Sequence, residues 1–206
     1  MSHPRRPVIE LETRRFKEAA DVMVEAFYDY PAMHHFFEGA GADYARHLRA
    51  FIGFSTWARR LRGDPVLAVE QAGAVVAAAY LVRPEVPMPA ALDPYRDELW
   101  RTAGARARRS YDAFSEATAA FSFPEPHLHL SLIGVRRQQA GRGYARLLMD
   151  AVWELSRSLP HSRGVSLTTE KQGNLSFYEY FGYECVGHAR VGPVETWGFF
   201  RAHPDR

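Results

Sequence analysis

The stretch Val135–Val152, VRRQQAGRGYARLLMDAV, places two glycines, Gly141 and Gly143, between an apolar run and an amphipathic segment. Glycine has no side chain, so a ligand or another backbone can approach closely at both positions. The apolar spacing that follows predicts a helix that continues to about Leu159 and ends before Pro160. Its first N–H groups lack helical acceptors and lie at the positive end of the helix dipole. The stretch therefore predicts an anion site, for which a diphosphate is the natural guest.

Two common phosphate-binding patterns do not match this loop. No Gly-Lys-Ser/Thr follows, as a P-loop requires, and the Gly-x-Gly-x-Ala spacing differs from the dinucleotide-binding fingerprint. Arg136, Arg137 and Arg142 would add positive charge nearby. From the residues alone, a plain turn made by the two glycines remains the alternative.

Outward from the loop, strand and helix patterns follow one another in mixed order. The stretch 127–135, HLHLSLIGV, alternates cleanly and predicts a strand with Leu128, Leu130 and Leu132 on one face. Two apolar runs in 65–82, separated by Gln-Ala-Gly, predict a hairpin. Other strands are predicted over 8–13, 165–170 and 195–200, and helices over 14–31, 42–61, 95–121, 144–159 and 174–182. This order predicts one α/β domain over residues 1–206, without repeats or a flexible linker.

The composition is that of a globular protein with few special partners. The 206 residues are 47% hydrophobic and carry a net charge of +2, and no dense basic run with interleaved aromatics predicts nucleic-acid binding. No apolar run approaches the roughly 20 residues of a membrane span, and the charged start lacks the apolar core of a secretory signal. With Cys185 as the lone cysteine, we expect a cytoplasmic protein that binds a small anionic ligand.

The segment Leu132–Val152 resembles the acetyl-CoA pyrophosphate loop of the GNAT superfamily of N-acetyltransferases. The family pattern is a strand ending in Gly-Val, then Gln/Arg-x-x-Gly-x-Gly/Ala, then a helix. Here it falls on Ala140, Gly141, Arg142, Gly143, Tyr144 and Ala145. Ala140 departs from the preferred Gln or Arg. The family's loop binds phosphate mainly through main-chain N–H groups, so one side-chain contact is lost. Gln138, Gln139 and the nearby arginines are the candidates to replace it.

A second segment is similar to the part of this family where Asn and Tyr flank the pantetheine and the thiol. It falls on Asn174, Tyr178, Gly182 and Tyr183, and its short form most resembles the puromycin N-acetyltransferase-like bacterial branch. Ala26–Pro31 shows a weaker similarity to the first helix of that branch. The resemblance implies a GNAT-like domain. Its central sheet is twisted, mixed and mostly antiparallel, contains a splayed parallel strand pair and is flanked by helices.

The resemblance also implies acetyl-CoA as co-substrate, with no metal. Ile133, Gly134 and Val135 would join the loop residues, Asn174 and Tyr178 in binding it, and the Val135 N–H would serve the thioester oxygen. Tyr178 would protonate the leaving thiolate, because a phenol with a pKa of about 10 can protonate a thiolate whose conjugate acid has a pKa near 8.5. Packing within an aromatic helix is the other interpretation of Tyr178.

The general base and the acceptor pocket are less clearly indicated. His129 lies on the strand that leads into the site and has a suitable ordinary pKa, near 6.5. Glu38, Glu70 or a water-relayed base remain alternatives. Four residues are candidates for the acceptor pocket: Tyr28, Tyr30, His34 and His127. His127 and His129, two apart on a strand, could chelate a metal, but no carboxylate partner is evident.

The sequence therefore predicts an N-acetyltransferase that moves an acetyl group from acetyl-CoA to the primary amine of a small molecule. The amine would attack directly in a ternary complex, and the protein would be a monomer or a homodimer. The alternative from a different class is a non-catalytic acyl-CoA-binding sensor or interaction domain.

Overall fold

One seven-stranded sheet with helices on both faces organises residues 8–204, the part of the chain that the computed structural model describes. The strands are β1 Val8–Glu10, β2 Val66–Gln71, β3 Ala74–Val82, β4 Leu128–Val135, β5 Gly164–Thr169, β6 Glu184–Val191 and β7 Val194–Ala202. Their order across the sheet is β1-β2-β3-β4-β5-β7-β6. Within the described residues, every neighbouring pair is antiparallel except β4–β5, which is parallel.

Six helices cover the two faces of the sheet. They are α1 Phe16–Ala26, α2 Pro31–Phe36, α3 Tyr44–Arg62, α4 Asp93–Ala119, α5 Tyr144–Ser158 and α6 Leu175–Tyr180. The first four pack on one face and form one apolar cluster, whereas α5 and α6 form the other cluster on the opposite face. Within residues 8–204, none of the helices combines the length and the apolar character needed to cross a bilayer. The predicted α/β fold with a splayed parallel pair is confirmed.

The parallel pair β4–β5 is joined over three residues and then separates. Leu128–Leu130 of β4 pair with Val165–Leu167 of β5, whereas both strands continue beyond this point. A β-bulge lies at the same place: Leu130 pairs with Leu81 but Leu132 pairs with Tyr80, so Ser131 is an extra residue. Bulges re-aim the strand that carries them. Here the bulge coincides with the separation of β4 from β5.

The bulge overturns one detail of the predicted strand. Leu128 and Leu130 pack in the cluster under α5, but Leu132 packs in the cluster under α1 and α3. The prediction that all three leucines share a face was wrong. An extra residue in a strand of period two moves every later side chain to the opposite face.

Three other element predictions differ from the structure. The helix predicted to stop at Pro31 ends earlier, since α1 ends at Ala26, and Pro31 occupies the first turn of the separate helix α2. The long helix α4 is interrupted at Gly104, whose φ of 90° is not helical. Strand β6 was not predicted. It is a mostly exposed edge strand, and its polar residues lack the apolar alternation of a half-buried strand.

Gly134 is fixed by helix packing, and replacing it with Ala should destabilise the protein. An added Cβ would lie 2.8 Å from Ala26 Cβ and 3.1 Å from Met23 Sδ of α1. We expect Gly134→Ala to lower the free energy of unfolding by about 1–3 kcal/mol, as overpacked core substitutions do. Urea unfolding followed by circular dichroism measures this loss.

The matched control for this substitution is Gly53→Ala, in the middle of α3. Gly53 is exposed and no atom lies within 4 Å of a Cβ added there. Alanine is the better helix former, so this variant should gain about 0.5–1 kcal/mol. Equal stability of Gly134→Ala and the wild type would show that α1 can move away from β4 without cost.

Candidate active site

A cavity of about 580 Å³ lies where β4 and β5 separate, within the size range of small-molecule sites. One wall is β4 from His129 to Val135, and the other is formed by the end of β5 and by α6. Helices α1 to α4 and the loops next to them supply the remainder, which is mostly aromatic. Its large apolar and aromatic members are Phe27, Tyr30, Met33, Phe36, Phe51, Phe54, Met88, Tyr111, Phe114 and Phe123.

Thr169, at the end of β5, connects the polar groups of this cavity. Its Oγ1 accepts a hydrogen bond from Asn174 Nδ2 at 3.1 Å and lies 3.2 Å from the Tyr30 hydroxyl oxygen. The Glu170 N–H donates to the Tyr30 hydroxyl oxygen at 3.1 Å. Thr169 is buried, so its hydroxyl holds both Tyr30 and Asn174 at fixed positions against the cavity.

Glu170, directly after β5, is a carboxyl group suited to take up a proton near neutral pH. It lines the cavity, and one of its oxygens accepts a hydrogen bond from Thr196 Oγ1 at 2.8 Å. Burial disfavours the charged form and raises the pKa of Glu170 to about 7, although the hydrogen bond from Thr196 opposes this shift. A group with a pKa near the working pH can act efficiently as a general base.

Tyr178 lies on α6 beside Glu170 and is 5% exposed. Its ring packs against Phe177 and Phe199, with centroids 5.5 Å and 5.9 Å away. Burial, together with the charge of Glu170, raises the pKa of Tyr178 well above its usual value near 10. The phenol therefore stays protonated at neutral pH, while the raised pKa makes it a weaker proton donor than a free phenol. The two interpretations of Tyr178 are compatible, because its ring packs on its neighbours and the residue also lines the cavity.

The free edge of β4 presents backbone N–H groups to the cavity. The N–H of Arg136 donates to Val76 of β3 at 2.9 Å. N–H groups alternate in direction along a strand, so those of Ile133 and Val135 point away from β3, towards the separated β5. Both residues line the cavity, and β5 no longer pairs with β4 at this level. These N–H groups can therefore bind an oxygen inside the cavity.

The glycine loop adopts a backbone that only glycine takes readily. Gly141 and Gly143 have φ of 75° and 80°, in the left-handed region, and Gly143 directly precedes the first turn of α5. Both are exposed, and no atom lies within 4 Å of a Cβ added at either position. The loop therefore holds the start of α5 open to an anion, beside cavity residues Val135 and Ala145.

The charges around this loop are arranged differently from the sequence prediction. Arg136 donates to Glu25 of α1 at 3.1 Å, and Arg137 donates to Asp29 in the turn after α1 at 2.6 Å, so carboxylates neutralise both. Arg142 is exposed and has no ion-pair partner within residues 8–204. Of the three arginines, Arg142 is the one whose charge is available to a phosphate.

The predicted loop residues Ala140 and Tyr144 differ in exposure. Ala140 is exposed in the loop, whereas Tyr144 is buried and its hydroxyl donates to Gln71 Oε1 at 2.9 Å. Tyr144 anchors the start of α5 in the core. A contact between Tyr144 and a cofactor would therefore involve its main chain.

Of the four residues predicted for the acceptor pocket, the cavity includes Tyr30. Tyr28 is 41% exposed and packs edge-to-face on Tyr44. His34 is exposed and stacks on the same ring at 4.8 Å. His127 is buried and its Nδ1 lies 3.0 Å from the Pro124 carbonyl oxygen. The geometry thus brings Tyr30 to the site and keeps Tyr28, His34 and His127 out of the cavity lining.

His129 lines the cavity, but its environment suits a neutral ring. Its Nδ1 lies 2.8 Å from Ser166 Oγ. Burial lowers the pKa of His129 to about 3, and the positive charge of Arg59 contributes. A ring with this pKa is a weak base. The alternatives Glu38 and Glu70 form ion pairs with Arg106 and Arg15 and do not line the cavity.

Sequence reasoning missed two charged residues of this site, Glu170 and Arg59. Glu170 had a readable signal, because this carboxylate ends the predicted strand 165–170 and precedes the Asn174 motif. Arg59 shares the spacing of the apolar face of α3, seven residues after Ile52 and eleven after Leu48. Because Arg60 and Arg62 lie close to it, the segment 59–62 resembles an exposed basic helix end, and the sequence does not indicate that Arg59 is buried.

Comparison with known proteins agrees with this geometry. The model of the acetyltransferase (GNAT) family matches residues 7–183. A comparison with curated protein sequences gives no significant match.

Solved structures show the same fold at low identity. A histone acetyltransferase HPA2 and related acetyltransferase from Corynebacterium glutamicum superposes with a TM-score of 0.71, 16% identity and coverage of 97% of this chain and 98% of that chain. The polyamine N-acetyltransferase of Drosophila melanogaster superposes with a TM-score of 0.63 and 18% identity, covering 96% of this chain and 99% of that chain. Arylalkylamine N-acetyltransferase 2 from Aedes aegypti superposes with a TM-score of 0.64 and 10% identity, covering 94% of this chain and 96% of that chain.

Proposed function

The chain belongs to the acetyltransferase (GNAT) family, and from this premise we propose that it transfers the acetyl group of acetyl-CoA to the primary amine of a small molecule. The observation that carries the proposal is the separation of β4 from β5 beside the glycine loop, with a cavity between the strands. The polyamine and arylalkylamine N-acetyltransferases of similar fold are consistent with an amine acceptor. The alternative of a non-catalytic sensor is not favoured, since the family consists of acyltransferases.

The residues present fit acetyl-CoA at two separate places. The exposed, left-handed Gly141–Gly143 loop and the first turn of α5, with Arg142, suit its diphosphate. The open edge of β4, with the N–H groups of Ile133 and Val135, suits its amide-containing arm and thioester. Asn174, tied to Thr169, faces the same space from the opposite wall. Acetyl-CoA supplies the acetyl group as a thioester, which an amine can attack directly.

Glu170 is the group that we assign to the acceptor amine. An amine attacks only with a free lone pair, and most primary amines are protonated near neutral pH. With a pKa of about 7, Glu170 is ionised in a substantial fraction of molecules at neutral pH and can accept the amine proton. His129, with a pKa of about 3, is the weaker base at the same cavity.

The remaining steps involve β4 and Tyr178. As the C–N bond forms, negative charge develops on the thioester oxygen, where the N–H of Val135 can stabilise it, a contribution of about 3–4 kcal/mol for one such donor. The C–S bond then breaks, and the thiolate takes the proton of the Tyr178 hydroxyl. The attacking nitrogen loses its second proton to solvent as the amide forms. Tyr178 regains a proton from solvent and Glu170 releases the one it took from the amine, so the amide, the thiol and one net proton account for all atoms and charges.

Binding of acetyl-CoA should depend on Gly143. We expect calorimetric titration of the wild type to show micromolar binding, and Gly143→Glu to abolish it. The glutamate would add a negative charge where the diphosphate is expected and would strain a residue with φ of 80°.

Two further variants separate charge, strain and misfolding. Gly143→Ala carries the strain without the charge, so it should weaken binding less than Gly143→Glu does. Gly41→Glu adds the same charge at another exposed glycine with positive φ and open space, outside the cavity lining, and should bind like the wild type. If the wild type does not bind acetyl-CoA, the glycine loop is only a turn and the proposed function is wrong.

A further inference from the structure

Arg59 is a buried guanidinium in the wall of the cavity, with most of its donors uncommitted. Its side chain projects from α3, and the residue is 6% exposed. One terminal nitrogen, Nη2, donates to Ser131 Oγ at 2.9 Å. Its buried Nε has no hydrogen-bond partner among the described residues. A guanidinium carries five N–H donors, so a single neutral hydroxyl leaves most of its capacity unused.

The carboxylate with the largest electrostatic effect on Arg59 is Asp64, which is already paired with other arginines. Asp64 accepts from Arg62 at 2.5 Å and lies 3.4 Å from Arg83, and its side chain is fully buried. Within residues 8–204, no acidic side chain forms an ion pair with Arg59. His129, which also faces this region, is neutral at physiological pH. The charges around Arg59 therefore sum to a positive value.

An unpaired charge in an apolar cavity is unfavourable unless a ligand compensates it. Removing a charged group from water costs several kcal/mol, and burial lowers the pKa of Arg59 to about 10, which still leaves it charged at neutral pH. The cavity around it is mostly aromatic. Arginine in such surroundings is well suited to bind a carboxylate through two parallel hydrogen bonds.

We propose that the acceptor amine carries a carboxylate, which Arg59 binds, on an apolar body that fills the aromatic part of the cavity. This inference rests on the proposed function, because it specifies the amine that the same cavity would hold. Amines without an anionic group would leave the guanidinium unpaired and would bind more weakly.

Strand register gives one component of the separation between the two polar ends, the offset along the strands, to which the sideways separation of β4 from β5 adds. Ser131 follows the last paired residue of β4 by one position, and Glu170 follows the last paired residue of β5 by three. The difference of two residues corresponds to about 7 Å along the strands. A carboxylate separated from the amine by a benzene ring spans this distance better than an α-amino acid does.

The test compares amines that differ in the carboxylate alone. The pairs are 4-(aminomethyl)benzoate against benzylamine, and phenylalanine against 2-phenylethylamine. We expect kcat/KM to be about 10- to 100-fold higher for 4-(aminomethyl)benzoate than for benzylamine, the usual effect of a hydrogen-bonded charged group. The preference should be smaller within the phenylalanine pair. Arg59→Met should remove it in both pairs.

The control variant is Arg60→Met, which removes the same charge one residue away. Arg60 is exposed, lies over the Trp57 ring and does not line the cavity, so its variant should retain the preference. Arg59→Lys keeps the charge without the planar fork and should retain part of the preference. Because selectivity is a ratio, a partial loss of folded protein in any variant cancels.

A binding measurement tests the role of Arg59 independently of catalysis. Benzoate should raise the Tm of the wild type and of Arg60→Met, but not that of Arg59→Met. Equal kcat/KM within both pairs, with acetyl-CoA still bound, would overturn this inference and leave the proposed function standing; Arg59 would then serve to hold the Ser131 bulge. If acetyl-CoA does not bind, the proposed function fails, and the benzoate shift alone decides whether Arg59 is an anion site.

Discussion

Replacing Glu170 with Gln is expected to lower kcat/KM for the acceptor amine by about 10²- to 10⁴-fold, the range of a general base. The amide keeps an oxygen that can accept the hydrogen bond from Thr196, so the local packing should survive. It cannot take up a proton from the amine. Steady-state rates with acetyl-CoA and an accepted amine, measured by thiol release, give this ratio.

The pH dependence follows from the same carboxyl group. Burial raises the pKa of Glu170 to about 7, so the group is protonated and inactive as a base at lower pH. The wild-type kcat/KM should therefore rise with pH and level off above about pH 7, and this limb should vanish in Glu170→Gln. At high pH, activity should fall as the Tyr178 phenol ionises. This fall should occur far above neutral pH, because burial raises the pKa of Tyr178.

Two variants decide whether Glu170 is responsible. Glu195→Gln changes an exposed carboxylate on β7, next to Thr196, and should leave both the rate and the pH profile unchanged. His129→Gln should keep the limb near pH 7, since the His129 pKa is about 3. A limb that persists in Glu170→Gln and disappears in His129→Gln would reverse the assignment and restore the base predicted from the sequence.

Local patterns were enough to predict much of the fold. The hairpin β2–β3, strand β4 and helix α5 all follow from apolar spacing with Gly or Pro at their ends, and the structure confirms them. The glycine loop was predictable for the same reason, because left-handed backbone and helix start are both encoded within Ala140–Ala145.

Features that depend on distant pairing were not predictable in this way. The bulge at Ser131 exists because β3 pairs across it, and nothing in 127–135 itself interrupts the alternation. The pKa of Glu170 depends on its burial by neighbouring elements, which the position of this residue at the end of the predicted strand 165–170 does not reveal. The low pKa of His129 has the corresponding cause: an ordinary pKa near 6.5 presumes solvent, and the cavity wall removes it.

Tyr178→Phe is expected to reduce kcat by about 10²- to 10⁴-fold, the range of a general acid, while acetyl-CoA binds as in the wild type. The substitution removes one hydroxyl and retains the ring, which packs on Phe177 and Phe199. Stability should therefore change little. Calorimetric binding of acetyl-CoA and single-turnover rates with a saturating amine separate a loss of catalysis from a loss of binding.

The matched control is Tyr180→Phe, two residues along the same helix. Tyr180 is 67% exposed, and its hydroxyl accepts a hydrogen bond from Arg146 Nη1 at 2.7 Å outside the cavity. Its variant should turn over like the wild type. A thiolate with a pKa near 8.5 is already a moderate leaving group, so an unchanged kcat in Tyr178→Phe would mean that the thiolate leaves without a proton. Tyr178 would then serve the site by packing α6 against β5 and β7. Catalysis would depend on Glu170 and on the N–H groups at the edge of β4.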